Sequence, residues 1–196
     1  MKIAVTGGIG SGKSLALRYI YQMGYPVFSC DEIYKSVIQS QEYIHQIALY
    51  FPEVVHNGLI VREKLAKVIF NNPKNREKVN AIAHPMIMNV LREQMSLCQS
   101  DLIFAEIPLL FEGNLEHEFD KVIYIYRDKS LRISNVMARD GLGQEEVKKR
   151  IASQFNPDSE EGKARLKACD AIVIENNTTA EELEKKIIDF INSMKH

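Results

Sequence analysis

The residues Gly7-Gly-Ile-Gly-Ser-Gly12-Lys13-Ser14 fit the pattern G-x-x-x-x-G-K-[ST], a spacing that suits the binding of a polyphosphate. Glycines let the backbone turn tightly with its N–H groups aimed inward, and a helix that starts directly afterwards adds partial positive charge. Gly8, Gly10, Ser11 and Gly12 would then form the cradle. Lys13 would reach the β- and γ-phosphates of a nucleoside triphosphate such as ATP, and the Ser14 hydroxyl would ligate Mg²⁺. The plainer alternative is a glycine-rich turn that binds nothing. An apolar run before the loop and a helical period after it favour the phosphate cradle.

Phosphoryl transfer needs three further features: a carboxylate beside the accepting hydroxyl, cations around the moving group, and a cover that excludes water. Asp31 follows the second apolar run, which puts it at the carboxyl edge of a sheet, where ligands bind in open α/β folds. There it either orients or deprotonates a hydroxyl or caps the helix starting near Glu32, and one residue can do both. Arg127, Arg132, Arg139 and Arg150 fall in or beside a charged stretch at about 128–158, and the fixed fork of arginine suits phosphate oxygens. Solvation on a helix surface is the competing fate of each. Glu106 ends the third apolar run, a place for a carboxylate near Mg²⁺ or simply for a strand-end acid. His84-Pro85 and Ile107-Pro108-Leu-Leu-Phe-Glu112 set a histidine and an acid on stiff backbone, and either is compatible with a structural role. A guanine-nucleotide switch shares the glycine loop and is the non-enzyme alternative. Against it, the chain lacks N-K-x-D, and Asp140-Gly-Leu-Gly143, which spells D-x-x-G, comes after the fourth apolar run.

These residues need a scaffold. Apolar runs at 3–5, 26–29, 102–107, 122–126 and 171–174 predict five strands, and their nearly unbroken apolar character suits a parallel sheet covered on both faces. Residues 14–23 carry Ala16, Ile20 and Met23 on one helical face, with Gly24 as a stop. Thr179-Ala-Glu-Glu182 is a capping box, followed by Leu183, Ile187, Phe190, Ile191 and Met194 on one face. The interval at about 32–100 has helical patterning without a clear strand and is broken at Phe51-Pro52, Asn57-Gly58 and Asn71-Asn-Pro73. It reads as a helical insertion in one domain spanning 1–196, and the stretch at about 128–158 as a mobile lid.

Composition narrows the function. With 45% hydrophobic and 26% charged residues and a formal net charge of -1, the chain is ordinary globular material without the basic excess of a nucleic-acid binder. Cys30, Cys98 and Cys169 form no C-x-x-C pair, and the histidines show no zinc spacing. No apolar run is long enough for a signal core or a membrane span, so the expectation is a cytoplasmic protein without membrane partners, monomeric or weakly self-associating.

Taken in order, the residues resemble the dephospho-coenzyme A kinase family. The shared set is Thr6-Gly-Gly-Ile-Gly-Ser-Gly-Lys-Ser14, Asp31, Asn80-Ala-Ile-Ala-His84-Pro85, Pro108-Leu-Leu-Phe-Glu112, Arg139-Asp-Gly141, Arg150-Ile-Ala-Ser-Gln154 and Asp170 to Asn176. The resemblance implies a P-loop kinase fold: α/β, a five-stranded parallel sheet flanked by helices, an inserted helical acceptor-binding domain and a lid. It implies transfer of the ATP γ-phosphate to the ribose 3′-hydroxyl of dephospho-CoA, with another small-molecule or nucleotide kinase of the same fold as the alternative. Asp31 becomes the base or orienting group, Arg139 a lid arginine facing the phosphates, and Asn176 a neighbour of the adenine. His84 and Glu112 would lie on the acceptor side, and Leu15 would contribute a backbone N–H to the nucleotide site. The chain departs from the family pattern at Ser29-Cys30-Asp31, where Asp-x-Asp is frequent, and at Asn135, where a second lid arginine is expected. With asparagine at that position, phosphate neutralisation falls on Arg139, Arg132 or Lys13, and Arg165 stands where lysine is common.

Overall fold

Apolar runs too short for buried helices pair readily as central strands, and each of the five does so in the computed structural model, which describes residues 1–70 and 72–194. Strand β1 (Lys2–Thr6) leads through the glycine loop to helix α1 (Lys13–Gln22) and then β2 (Val27–Ser29). Helices α2 (Cys30–Val37) and α3 (Gln41–Tyr50), strands β3 (Val55–His56) and β4 (Leu59–Ile60), and helices α4 (Arg62–Phe70) and α5 (Pro73–Leu97) follow. The chain then forms β5 (Ile103–Glu106), β6 (Lys121–Tyr126), α6 (Lys129–Asp140), α7 (Gln144–Ala152), α8 (Glu160–Ala168), β7 (Ile172–Glu175) and α9 (Ala180–Ser193). It divides into two compact units, one of Met1–Phe28 with the chain from Cys98 onward, the other Ser29–Leu97.

The first unit is built on a five-stranded parallel sheet in the order β2-β5-β1-β6-β7. Register sets Val5 beside Glu106, Thr6 beside Tyr124, and Tyr126 beside Glu175, so the carboxyl ends share one edge. The connections diverge from β1 to opposite sides, which makes the crevice beyond its carboxyl end a topological switch point, and the glycine loop occupies it. Ile3, Val5, Phe104, Ile123, Ile125 and Ile174 on one face pack against Ala16, Leu17 and Ile20 of α1 and Leu183, Ile187 and Ile191 of α9. Each such side chain removed from water contributes about 1.5–3 kcal/mol as an upper estimate. Thr179 caps α9 as the sequence predicts, its hydroxyl accepting from the Glu182 amide at 3.3 Å.

Residues of the charged stretch fold as α6 and α7, joined where Gly141 closes α6 in the left-handed region (φ 68°). Val136, Val147 and Ile151 form a small core between them, with Ile9 of the glycine loop packed against it.

In the Ser29–Leu97 unit, α5 packs against α2, α3 and α4 through a stripe at Val79, Ala83, Ile87, Leu91 and Met95. Asn72 accepts from the Lys74 amide at 3.0 Å and so caps α5, with Pro73 at its first position. Asn71, the first residue of the expected break, lies outside the described residues. One expectation needs correction. The interval contains a strand pair after all: β3 and β4 meet antiparallel across Asn57-Gly58, whose φ values of 50° and 74° are those of a type I′ turn. Strands of two residues have no period to detect. Helix α5 runs on through His84-Pro85, with the proline inside it. Burial of the stripe on both sides of Pro85 holds the helix together although the Ala81 carbonyl loses its usual i+4 donor.

Candidate active site

The glycine loop is shaped by what surrounds it. Gly12 sits at φ 98° immediately before α1 and no side chain caps that helix, so its first-turn amides are directed into the loop. A side chain on Gly12 would also strike the Asn176 amide. At Gly8 an added Cβ would run into the Arg132 guanidinium, which shows how closely that cation lies against the backbone. Inside the loop the Ser11 amide donates to the Gly8 carbonyl at 3.1 Å, and the Leu15 amide to Gly12 at 3.0 Å. Lys13 folds back so that its ammonium donates to the Gly7 carbonyl at 2.7 Å and to that of Gly8 at 3.4 Å. Leu15 packs its side chain onto the sheet core, and the Ser11 hydroxyl is buried without a partner among the described residues.

Four side chains from distant positions hold the loop. Arg132 of α6, 6% exposed, donates from Nε to the Ile9 carbonyl at 2.9 Å and from Nη2 to Gln154 Oε1 at 3.2 Å. The same Gln154 oxygen accepts from the Ile9 amide at 2.8 Å, so both peptide groups of Ile9 are clamped. Burial lowers the Arg132 pKa, and the nearby Tyr124, Asp158 and Tyr126 oppose that shift. Asn176, 3% exposed, donates from Nδ2 to the Ser11 carbonyl at 2.7 Å. Asn135 reaches the Gly10 carbonyl more weakly, at 3.4 Å.

Beside the loop lies a crevice of about 10 Å³, room for one water, lined by Gly7, Gly8, Glu112, Tyr124, Gln154 and Phe155 among others. Tyr124 is pushed up to about 12, chiefly by burial, with Arg132 pulling the other way. Glu112 accepts from the Phe155 amide at 2.8 Å. Phe111 and Phe155 stack with ring centres 4.0 Å apart, and the Arg165 guanidinium lies 5.3 Å from the Phe111 ring. Arg165 is further tied to Glu116 at 3.2 Å from Nε.

The structure therefore brings Gly8, Gly10, Ser11, Gly12, Lys13, Ser14 and Asn176 together, with Glu112 beside them and Glu106 one strand away. Arg139 stands apart from the loop contacts. Its guanidinium takes Asp140 in two bonds of 2.7 and 2.9 Å and is largely exposed. Arg132, seven positions earlier, is the arginine that touches the loop. Asp31 and His84 belong to the Ser29–Leu97 unit. Asp31 opens α2 directly after β2, and His84 is half-buried on α5, where burial lowers its pKa. Sequence reasoning missed Tyr124 and Phe155 altogether and gave Gln154 no role. Their signal, an aromatic stack and an amide clamp across long sequence separations, has no local spacing.

A lysine-bearing glycine loop at the switch point of a parallel five-stranded sheet, clamped by a buried arginine, is the arrangement of a P-loop phosphotransferase. The family model for dephospho-CoA kinase matches residues 1–182. A Geobacillus kaustophilus dephospho-CoA kinase is 37% identical over 194 residues, which cover 96% of this chain and 94% of that one. Among solved structures, one from Thermus thermophilus superposes with a TM-score of 0.78 at 32% identity, covering 98% and 97% of the two chains. The dephospho-CoA kinase from Campylobacter jejuni does so with 0.70 at 27% identity, covering 99% and 98%. The chain belongs to the dephospho-CoA kinase family.

Proposed function

We propose that the protein transfers the γ-phosphate of ATP to the ribose 3′-hydroxyl of dephospho-CoA, giving coenzyme A and ADP. The observation that carries this reading is the family match over residues 1–182 on a chain whose loop has the geometry of a phosphate cradle. The loop amides and the N-terminus of α1 bind the polyphosphate, and Lys13 exchanges its carbonyl partners for phosphate oxygens. Arg132 fixes the Ile9 peptide groups and adds positive charge behind them. Arg139 joins only by leaving Asp140. Asn176 supports the loop from below, a role that fits its bond to Ser11.

Asp31 accepts or orients the acceptor hydroxyl proton, with His84 and the Ser29–Leu97 unit serving the acceptor. Helices α6 and α7 provide the cover. The donor set fits Mg²⁺: among the described residues no group of three His, Cys, Asp or Glu forms a protein cage, and Ser14 and Glu106 offer the one or two oxygens usual where substrate phosphates do the rest. The ion would neutralise charge on the β- and γ-oxygens.

Release of ADP, followed with dephospho-CoA, AMP, CMP, shikimate and gluconate as acceptors, tests the assignment. Stimulation by dephospho-CoA alone is the expected result. Stimulation by another member of the panel and none by dephospho-CoA would replace the acceptor and leave the phosphate loop standing.

A further inference from the structure

Gln154 holds the glycine loop by accepting from the Ile9 amide at 2.8 Å, and its own place is set from two sides. On one side its amide donates to the Ile151 carbonyl at 3.2 Å, at the end of α7. On the other stands Phe155, whose amide donates to Glu112 and whose ring lies stacked on Phe111 and edge-on to Tyr124 at 5.8 Å. Arg165 of α8 closes this aromatic group from outside. Its guanidinium lies 5.3 Å from the centre of the Phe111 ring and 5.9 Å from that of Phe155, within the roughly 6 Å reach of a cation–π contact. Its edge is engaged as well, Nε donating to Glu116 at 3.2 Å and Nη2 to Asn114 Oδ1 at 3.0 Å. The other Glu116 oxygen, Oε2, is buried with no hydrogen-bond partner among the described residues, so Arg165 is the cation that compensates this carboxylate. Packing from α8 is equally close: a Cβ on Gly162, one turn before Arg165, would strike the Asn156 carbonyl.

We propose that Arg165 is a positioning residue for the nucleotide loop: by holding the Phe111–Phe155 stack against α8, it keeps the Gln154 oxygen on the Ile9 amide. The proposal rests on the reading of the loop as the ATP site. Among the described residues the bonds of Arg165 go to Glu116 and Asn114 and none to the loop, so its influence travels through the stack. The path is short, since Gln154 and Phe155 are adjacent, and all its members belong to one compact unit. The guanidinium suits this post because its flat face covers a ring while its edge forks onto Glu116 and Asn114, whereas an ammonium offers the charge and no fork. The effect is also bounded. The end of α7 still holds Gln154 from the other side, and Arg132 holds the Ile9 carbonyl independently, so losing Arg165 weakens about one neutral bond.

The test compares the full chain with Arg165→Gln, Arg165→Lys, Gln154→Ala and the double variant carrying Arg165→Gln and Gln154→Ala. Calorimetry gives the ATP Kd, and urea denaturation of the same preparations shows that each is folded at the measuring temperature. Arg165→Gln raises the ATP Kd roughly 3- to 10-fold, the scale of one lost hydrogen bond, and Arg165→Lys recovers part of the loss. In the Gln154→Ala background Arg165→Gln changes the ATP Kd by less than about 2-fold, because the oxygen it steadies is gone. A structural role alone would lower stability and leave ATP affinity as it was. That result, or losses in the two single variants that multiply in the double one, would overturn the proposal. Should Arg165→Gln fail to fold, Glu116→Gln, which keeps the shape of the pair and removes its charge, carries the same comparison. Wild-type protein that binds no ATP would instead remove the reading of the loop and this proposal with it.

Discussion

Replacing Arg132 by methionine keeps most of the side-chain volume and deletes the buried cation that holds Ile9. Two bonds go, from Nε to the Ile9 carbonyl and from Nη2 to Gln154. A hydrogen bond from a charged group is worth about 1.5–3 kcal/mol, so the loop loses at least one such term in its binding-ready shape. Global stability should change far less, within about 2 kcal/mol in either direction, because removing a buried charge also removes its desolvation cost. The loss therefore falls on nucleotide binding: 1.5–3 kcal/mol of loop organisation corresponds to a rise in ATP Kd of roughly 10- to 150-fold. Titration calorimetry with ATP, beside chemical denaturation of the same preparation, separates the two quantities. Arg139→Met is the control, expected to shift ATP affinity by less than about 3-fold because its guanidinium is exposed and already paired with Asp140. Wild-type ATP affinity in Arg132→Met, or a larger loss in Arg139→Met, would refute the assignment of the loop clamp to Arg132.

Asn176→Ala orphans the Ser11 carbonyl and should cost about 1–3 kcal/mol in urea denaturation, and Asn176→Asp more, since an acceptor then faces that carbonyl. Wild-type stability in both variants would show that the bond contributes nothing. Asp31→Asn should lower turnover roughly 100-fold or more with ATP affinity kept, the scale of a lost general base, and unchanged turnover removes Asp31 from the chemistry. Burial holds the His84 pKa below its usual 6.5, so the unfolded chain takes up a proton first as pH falls. Its contribution to stability is intact above about 6.5 and is lost as pH drops toward the folded value. His84→Gln should therefore lose less Tm than wild type between pH 7 and pH 5, and identical slopes would contradict this.

The parts of the molecule legible in the sequence were those whose determinants are local. Five apolar runs gave five strands because a parallel strand buried on both faces has no polar side to conceal it. The loop was legible from glycine, lysine and serine at fixed offsets, and α9 from its capping box and apolar face. What escaped was decided by tertiary contact. Arg132 and Arg139 lie on one helix and look alike in the sequence. Only the absence of a side chain on Gly8, far away in the chain, makes room for the first. A proline disfavours a helix interior, and at Pro85 the core stripe of α5 overrides that preference. A cavity beside Tyr43 in the Ser29–Leu97 unit likewise depends on helices that a linear pattern does not juxtapose.

The supports of the glycine loop are scattered along the rest of the chain: Arg132, Asn135, Gln154 and finally Asn176. A ribosome making this protein releases the loop well before its last support, Asn176, on the order of ten seconds earlier at about 5–20 residues per second. Even β1 waits for β5 and β6 before it has neighbours. The nucleotide thus cannot act as an early nucleus for folding. A nascent chain stopped before Asn176 should carry the complete phosphate motif and still hold ATP poorly, so that ligand binding reports on synthesis past Asn176.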